Sequence, residues 1–393
     1  MKSNNPLVNV AKREFGRIIR GKSTRNLLIF VPICVFIFLA FIYVNGIVHN
    51  IPVAVYDKDH TELSRTIIRF IEASPQTKVI KYLDSSDKIE NIFLKNDEIE
   101  AIFVIPKNLS KDVLSGKSTK VGIYTNSSNI IFGNTIYRVA MTTINTVSGG
   151  ILLEKFKMAG LTEEEAMNLV LPIRVNAKPL YNSNYNYLYY LVPGLLTVLL
   201  QMILIFVTTR AINSEFNNHT IGKLLQVSNN SVLNIIIGKA IAYSLMGFLI
   251  VIFILGFVFP VFAIPVYGNL WLLSGFFLFF NITAVFFGLM LSGIISDETV
   301  ALDVAFFYNS PAFVFSGFTF PIFGMPFFDK FYAQLIPYTH FLYGFFKLYQ
   351  MNVPIKYLKP EIFALLIFFV IGFLGSIISL KIRLKKFKTS QPV

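Results

Sequence analysis

Six stretches of the chain are apolar for long enough to cross a bilayer: residues 27–44, 188–209, 235–259, 270–295, 300–323 and 362–380. A hydrocarbon core about 30 Å thick needs roughly 20 mainly apolar residues in one helix. Asp303, Asn309, Pro311 and two glycines interrupt the fifth stretch, so its ends are the least sharply drawn. Between the first and second stretches the pattern changes character. IPVAVY (51–56), KVIKYL (78–83), EAIFVI (100–105) and KVGIYT (120–125) are short strand-like runs. Helical spacing intervenes four times. One helix follows Asp59, whose distance to Glu62 suits a capping box, and turns Leu63, Ile67, Phe70 and Ile71 to one face. Others are predicted around 89–94, up to Gly116, and over 129–159, after which Thr162 and Glu165 again have capping-box spacing. The expected fold is a polytopic α-helical membrane protein with six transmembrane helices and an α/β extracytoplasmic domain, 45–187, inserted between the first and second.

Composition sharpens this picture. Of 393 residues 54% are hydrophobic and only 15% charged, against about 25% charged in soluble domains. The formal charge of +13 resembles a nucleic-acid signal until it is divided along the chain. Residues 1–26 carry seven basic groups and one acid (+6), residues 381–393 five and none (+5), and residues 45–187 sixteen against fifteen (+1). The excess therefore flanks the outermost apolar stretches. This is the positive-inside pattern, and it calls for no nucleic acid. Both termini are expected in the cytoplasm of a cell inner membrane, as six spans permit, with 209–234 and the turn 296–299 on the same side. The segments 45–187 and 324–361 then face outward, and Tyr181, Tyr185, Tyr187, Tyr189 and Tyr190 fall in the outer aromatic belt. The N-terminal apolar run lacks a clear cleavage site and is expected to be retained as a helix. Residues 1–26 form an amphipathic elbow helix with Val10, Phe15, Ile18 and Ile19 toward lipid, and 381–393 a basic cytoplasmic tail.

Catalytic chemistry is hard to find. Gly16-Arg17-Ile18-Ile19-Arg20-Gly21-Lys22-Ser23 matches G-x-x-x-x-G-K-S, but such a loop cradles phosphate only between a buried strand and a helix. Here a membrane span follows four residues later, which marks a chance match. Four scattered histidines form no metal motif, and the single Cys34 allows no disulfide within the chain. The DKDH turn (57–60) lacks the glycine and glutamate of a calcium loop and reads as a strand-to-helix turn capped by Asp59. Four of the span interiors hold no ionisable group, which disfavours ion-coupled transport. No catalytic residue, metal or cofactor is expected, and the energy has to come from elsewhere. The loop 209–234 carries Ile221, Leu224 and Leu225 at near-helical spacing, as a lid or a docking surface would.

The arrangement resembles the type-2 ABC transporter permease family, in the drug- and lipid-exporter branch with a large external domain. The family's cytoplasmic R…E…G-T…L motif and distant G-K are matched by Arg210, Glu215, Thr220, Leu224, Leu225, Gly238 and Lys239. His219 stands where the family usually has glycine, Gly222 where it often has glutamate, and Asn229 near the usual proline. SPAFVFSGFTFPIFGMP (310–326) is similar to the family's S-G-F-x-F-P-x-x-x-M-P, and Pro337-Tyr338-Thr339-His340 to its P-x-T-Y. The resemblance implies a permease subunit of an exporter for a hydrophobic or amphiphilic substrate. It would be driven by ATP bound in separate ABC ATPase subunits and paired with a second copy or paralogue. Membrane lipids and a periplasmic adaptor are further expected partners. It assigns Arg210, Glu215, Asn217, Thr220, Leu224, Leu225 and Lys239 to ATPase coupling, with Glu215 and Leu224 at the contact. Ser316, Gly317, Pro321, Met325, Pro326, Pro337 and His340 go to an outer, re-entrant gate. A membrane-anchored receptor whose external domain binds a ligand stays open as the alternative.

Overall fold

The computed structural model describes residues 5–389, apart from 85–88, 90, 91, 94, 95 and 97. The chain divides into two compact units, Ile47–Lys178 and the remainder, Met1–Gly46 with Pro179–Val393. In chain order the helices begin with α1 (Pro6–Arg20) and α2 (Lys22–Ile42).

Strands β1 (Ile51–Asp57), β2 (Thr77–Tyr82), β3 (Ala101–Ile105) and β4 (Gly122–Thr125) form one sheet in the order β2-β1-β3-β4. β1 is parallel to both β2 and β3, while β4 runs antiparallel to β3. The helices of this unit are α3 (Glu62–Ala73), α4 (Leu109–Leu114), α5 (Ile130–Met158) and α6 (Glu163–Val170). Val53, Val55, Phe103 and Ile105 pack on one face with Ile67 and Ile71 of α3 and Ile136 and Ala140 of α5. Ala54 and Ile102 face the other way, toward Leu83, Ile92 and Ile99. Central parallel strands covered on both sides read as unbroken apolar runs, as these do. Of the helix expected around 89–94, residues 89, 92 and 93 are helical, and 90, 91 and 94 lie outside the described residues.

Two local expectations are corrected. The α3 cap is Thr61, which exchanges hydrogen bonds with Ser64. Asp59 instead accepts from Thr61 Oγ1 (2.5 Å) and from the Ser110 backbone (3.1 Å). The inward face of α3 is Ser64, Ile67, Ile68 and Ile71, and Phe70 is exposed. The Thr162–Glu165 capping box is formed.

The other unit is helical: α7 (Tyr187–Asn217), α8 (Ile221–Val227), α9 (Val232–Val261), α10 (Leu270–Ile294), α11 (Glu298–Asn309), α12 (Ala312–Phe315), α13 (Phe327–Gln334), α14 (Pro337–Tyr349) and α15 (Ile355–Thr389). Among the described residues five helices are long and apolar enough to cross a membrane: α2, α7, α9, α10 and α15. Stretch 300–323 is not the single helix expected. α11 spans 12 residues, about 18 Å at 1.5 Å per residue, short of the bilayer core. Pro311 then withholds a backbone donor, and Gly317 takes a left-handed conformation (φ +85°) that turns the chain. Stretch 209–234 holds the short helix that the spacing of Ile221, Leu224 and Leu225 suggested, though less of it is connecting loop than expected. α7 runs on to Asn217, and two tight turns set α8 before α9.

The elbow helix α1 also departs from expectation. Val10 and Ile18, expected toward lipid, are buried against protein, while Ile19 is exposed. Val10 sits directly over Gly238 of α9, where a Cβ would lie 2.7 Å from Val10 Cγ1. α1 thus seats one face on the start of α9.

Candidate coupling site

The α1 face that carries Val10 and Ile18 also carries Glu14, because positions four apart stack on one side of a helix. A carboxylate there is buried along with its apolar neighbours and requires cations and donors to replace water. It finds Lys239 Nζ at 2.7 Å and the Tyr243 hydroxyl at 2.9 Å, both on α9. Lys239 also reaches Glu215 of α7 (3.1 Å) and donates to the Ala211 carbonyl (3.0 Å), so all three of its protons are used. Glu215 accepts two bonds from Arg13 (2.6 and 2.9 Å), a further one from Arg17, and one from Thr220 Oγ1. Arg17 bonds Ser214 as well (3.0 Å). Glu14, Glu215 and Lys239 are each no more than 1% exposed. Burial acts to lower the Arg13 pKa, but the bond and charge of Glu215, with the charge of Glu14, raise it above its ordinary value. Three cations thus enclose two carboxylates and tie α1, α7 and α9 together.

A second layer extends the knot. Arg210 bonds Glu298 at the start of α11 (2.7 Å) and Ser23 of α2 (2.9 Å), and Asn217 reaches the other Glu298 oxygen (2.9 Å). Arg383 of α15 bonds Asn213 and the Ser292 carbonyl and stacks on Phe216. One end of α7 therefore touches every long helix of its unit.

Arg210, Glu215, Asn217, Thr220 and Lys239 are brought together as the motif suggested. Glu215 and Leu224 do not form an exposed contact surface: both are buried, and Leu225 is half-buried. α8 turns Leu224 inward and leaves Gly222, Lys223 and Gln226 outside, and His219 in the turn before it is exposed too. His219 has φ +53°, a conformation natural to glycine, which accounts for the glycine usual at that place. Sequence reading missed Arg13, Glu14, Arg17, Tyr243 and Glu298. Its available signal was the lone acid at the middle of the Val10–Ile18 stripe. The octapeptide 16–23 is helical through Arg20, so it forms no phosphate loop.

The second predicted group gathers at the opposite end of α7. Ser316 is buried, Gly317 makes the left-handed turn, and Pro321 caps the turn Ile322–Gly324. Met325 is buried, Pro326 precedes α13, and Pro337 opens α14. His340 approaches the Gln334 carbonyl (3.1 Å). Here Tyr190 donates to the Phe318 carbonyl, and Tyr338 donates to the Gly194 carbonyl (2.7 Å). From Gly194 to Glu215 is 21 helical positions, roughly 30 Å.

Two curated proteins are similar over most of their length. The probable multidrug ABC transporter permeases YbhR of Escherichia coli strain K12 and of Escherichia coli O157:H7 are each 24% identical over 338 residues, 85% of this chain and 87% of theirs. The model of the ABC-2 family transporter proteins matches residues 22–378, and the chain belongs to that family as a multi-pass permease.

Proposed function

We propose that this permease exports a hydrophobic or amphiphilic compound, using ATP bound and hydrolysed in two separate ABC ATPase subunits. A second copy or a paralogue completes the membrane part, and no cofactor is assigned to this chain. The basic ends lie on the cytoplasmic side, residues 47–178 lie outside, and the broken segment from α11 to α12 supplies a sixth crossing. The observation that carries the reading is the buried five-charge knot joining α1, α7 and α9 beside the exposed face of α8. A push on α8 reaches α7 through Thr220 and Glu215, and α7 carries it to the Tyr338–Gly194 contact some 30 Å away. The relatives' multidrug description supports a substrate that partitions from the bilayer.

The test uses the full chain reconstituted with its ATPase. Lys223→Glu and Gln226→Glu alter only exposed side chains of α8. They are expected to weaken ATPase copurification and substrate-stimulated hydrolysis without lowering thermal stability. Unchanged copurification and unchanged stimulated hydrolysis would sink the docking role of α8.

A further inference from the structure

The chance P-loop match lines a cavity of its own. About 710 Å³ opens between α1, the start of α2 and the last turns of α7, walled by residues from Lys12 to Thr24 and from Val207 to Asn218 with Tyr243. That is within the usual size of a small-molecule site. Its lining holds Lys12, Arg13, Arg17, Arg20, Lys22 and Arg210 against the single acid Glu14. Three of these cations are engaged: Arg13 and Arg17 by Glu215, and Arg210 by Glu298. Lys12, Arg20 and Lys22 have no acidic partner among the described residues and are exposed. Ser23 and Thr24 add hydroxyls and stand in the first turn of the 21-residue helix α2.

Depth selects the ligand. The cavity begins where the apolar run of α7 ends, at Val207 to Arg210, and where α2 turns from Lys22 and Arg25 into Leu27. Both boundaries mark the headgroup layer. We infer that this cavity seats the phosphate ester of an anionic phospholipid headgroup, gripped by Lys12, Arg20 and Lys22 with Ser23 and Thr24. Phosphate is bound here by side chains, since the amides of Gly16 to Arg20 are already spent within α1. The bound headgroup neutralises the surplus cations and fixes α1 against α7, beside the coupling knot.

Full-length protein in detergent is titrated with phosphatidylglycerol, with phosphatidylcholine and with soluble glycerol phosphate. Bound lipid is read by native mass spectrometry and by the shift in thermal unfolding. The triple variant Lys12→Gln, Arg20→Gln, Lys22→Gln changes only exposed side chains. A matched triple, Lys381→Gln, Lys385→Gln, Lys388→Gln, removes equal charge elsewhere. At about fivefold per juxtamembrane cation, the first triple is expected to lose phosphatidylglycerol affinity roughly 100-fold, and the second to keep it. Equal loss in both triples, or no preference for phosphatidylglycerol over phosphatidylcholine, overturns the site. Stabilisation by glycerol phosphate alone overturns the lipid as its source. Loss of the ATPase subunit with lipid binding intact overturns it in favour of a protein dock.

Discussion

Glu215 shows how much one side chain can bind together. With Arg13, Arg17, Lys239 and Glu14 it forms a group of three cations and two anions, mostly closed to water. Removing one member of a buried pair costs about 3–5 kcal/mol, because the partner remains desolvated. The surplus sign makes the outcome asymmetric. Glu215→Gln leaves three cations facing one anion, whereas Lys239→Met leaves two of each. Thermal unfolding in detergent should therefore fall much further for Glu215→Gln than for Lys239→Met, and equal losses would show that charge balance is not what holds the knot. His219 offers the opposite case. Its left-handed conformation costs an L-residue about 1–2 kcal/mol, so His219→Gly should match or raise the melting temperature while His219→Val lowers it. Apart from the neighbours Glu14 and Arg17, the knot's pairings were not legible in the sequence, because their members stand far apart along the chain, Glu14 and Lys239 by 225 positions. Glu215 and Lys239 were found by motif, yet the motif said nothing of their burial.

At the scale of elements, periodicity carried most of the reading. The four strands and the long helix Ile130–Met158 fall where alternation and helical spacing put them. Hydropathy misjudged stretch 300–323, since a sliding sum of apolarity does not register that Pro311 and Gly317 end helices. It misjudged α1 for a related reason. An apolar stripe specifies a buried face without saying whether lipid or protein buries it, and Gly238 makes room for Val10 to meet protein. That close approach is testable. In Gly238→Leu the new side chain occupies the space of Val10 and lifts α1 from α9. Limited trypsin digestion of the membrane-embedded protein should then cut faster at Arg13, Arg17 and Arg20. An unchanged cleavage rate would mean that the charges alone hold α1 in place.

For the whole molecule, the two flanks of the insertion meet inside the helical unit. Gly46 takes a left-handed conformation (φ +62°), and its carbonyl accepts from the Tyr187 amide at 2.6 Å. A Cβ at Gly46 would fall 2.2 Å from the Asn186 side chain, which itself caps α7 through Leu188. The chain thus leaves the membrane unit and returns to it at one spot, as inserted domains with neighbouring ends do. Each unit has its own apolar core, the sheet face covered by α3 and α5 in one and the packed helices in the other. Replacing residues 47–178 with a short glycine-serine linker should accordingly leave a membrane unit that inserts and runs as a single peak in detergent size exclusion. Residues 47–178 expressed alone should give a folded, water-soluble α/β domain by circular dichroism. If the shortened permease keeps ATPase-coupled export, the insertion serves a partner rather than the transport cycle. If it binds the ATPase yet no longer exports, the insertion belongs to the exit path. Aggregation of both pieces would mean that neither core suffices without the other, which the Gly46–Tyr187 bond within the helical unit argues against.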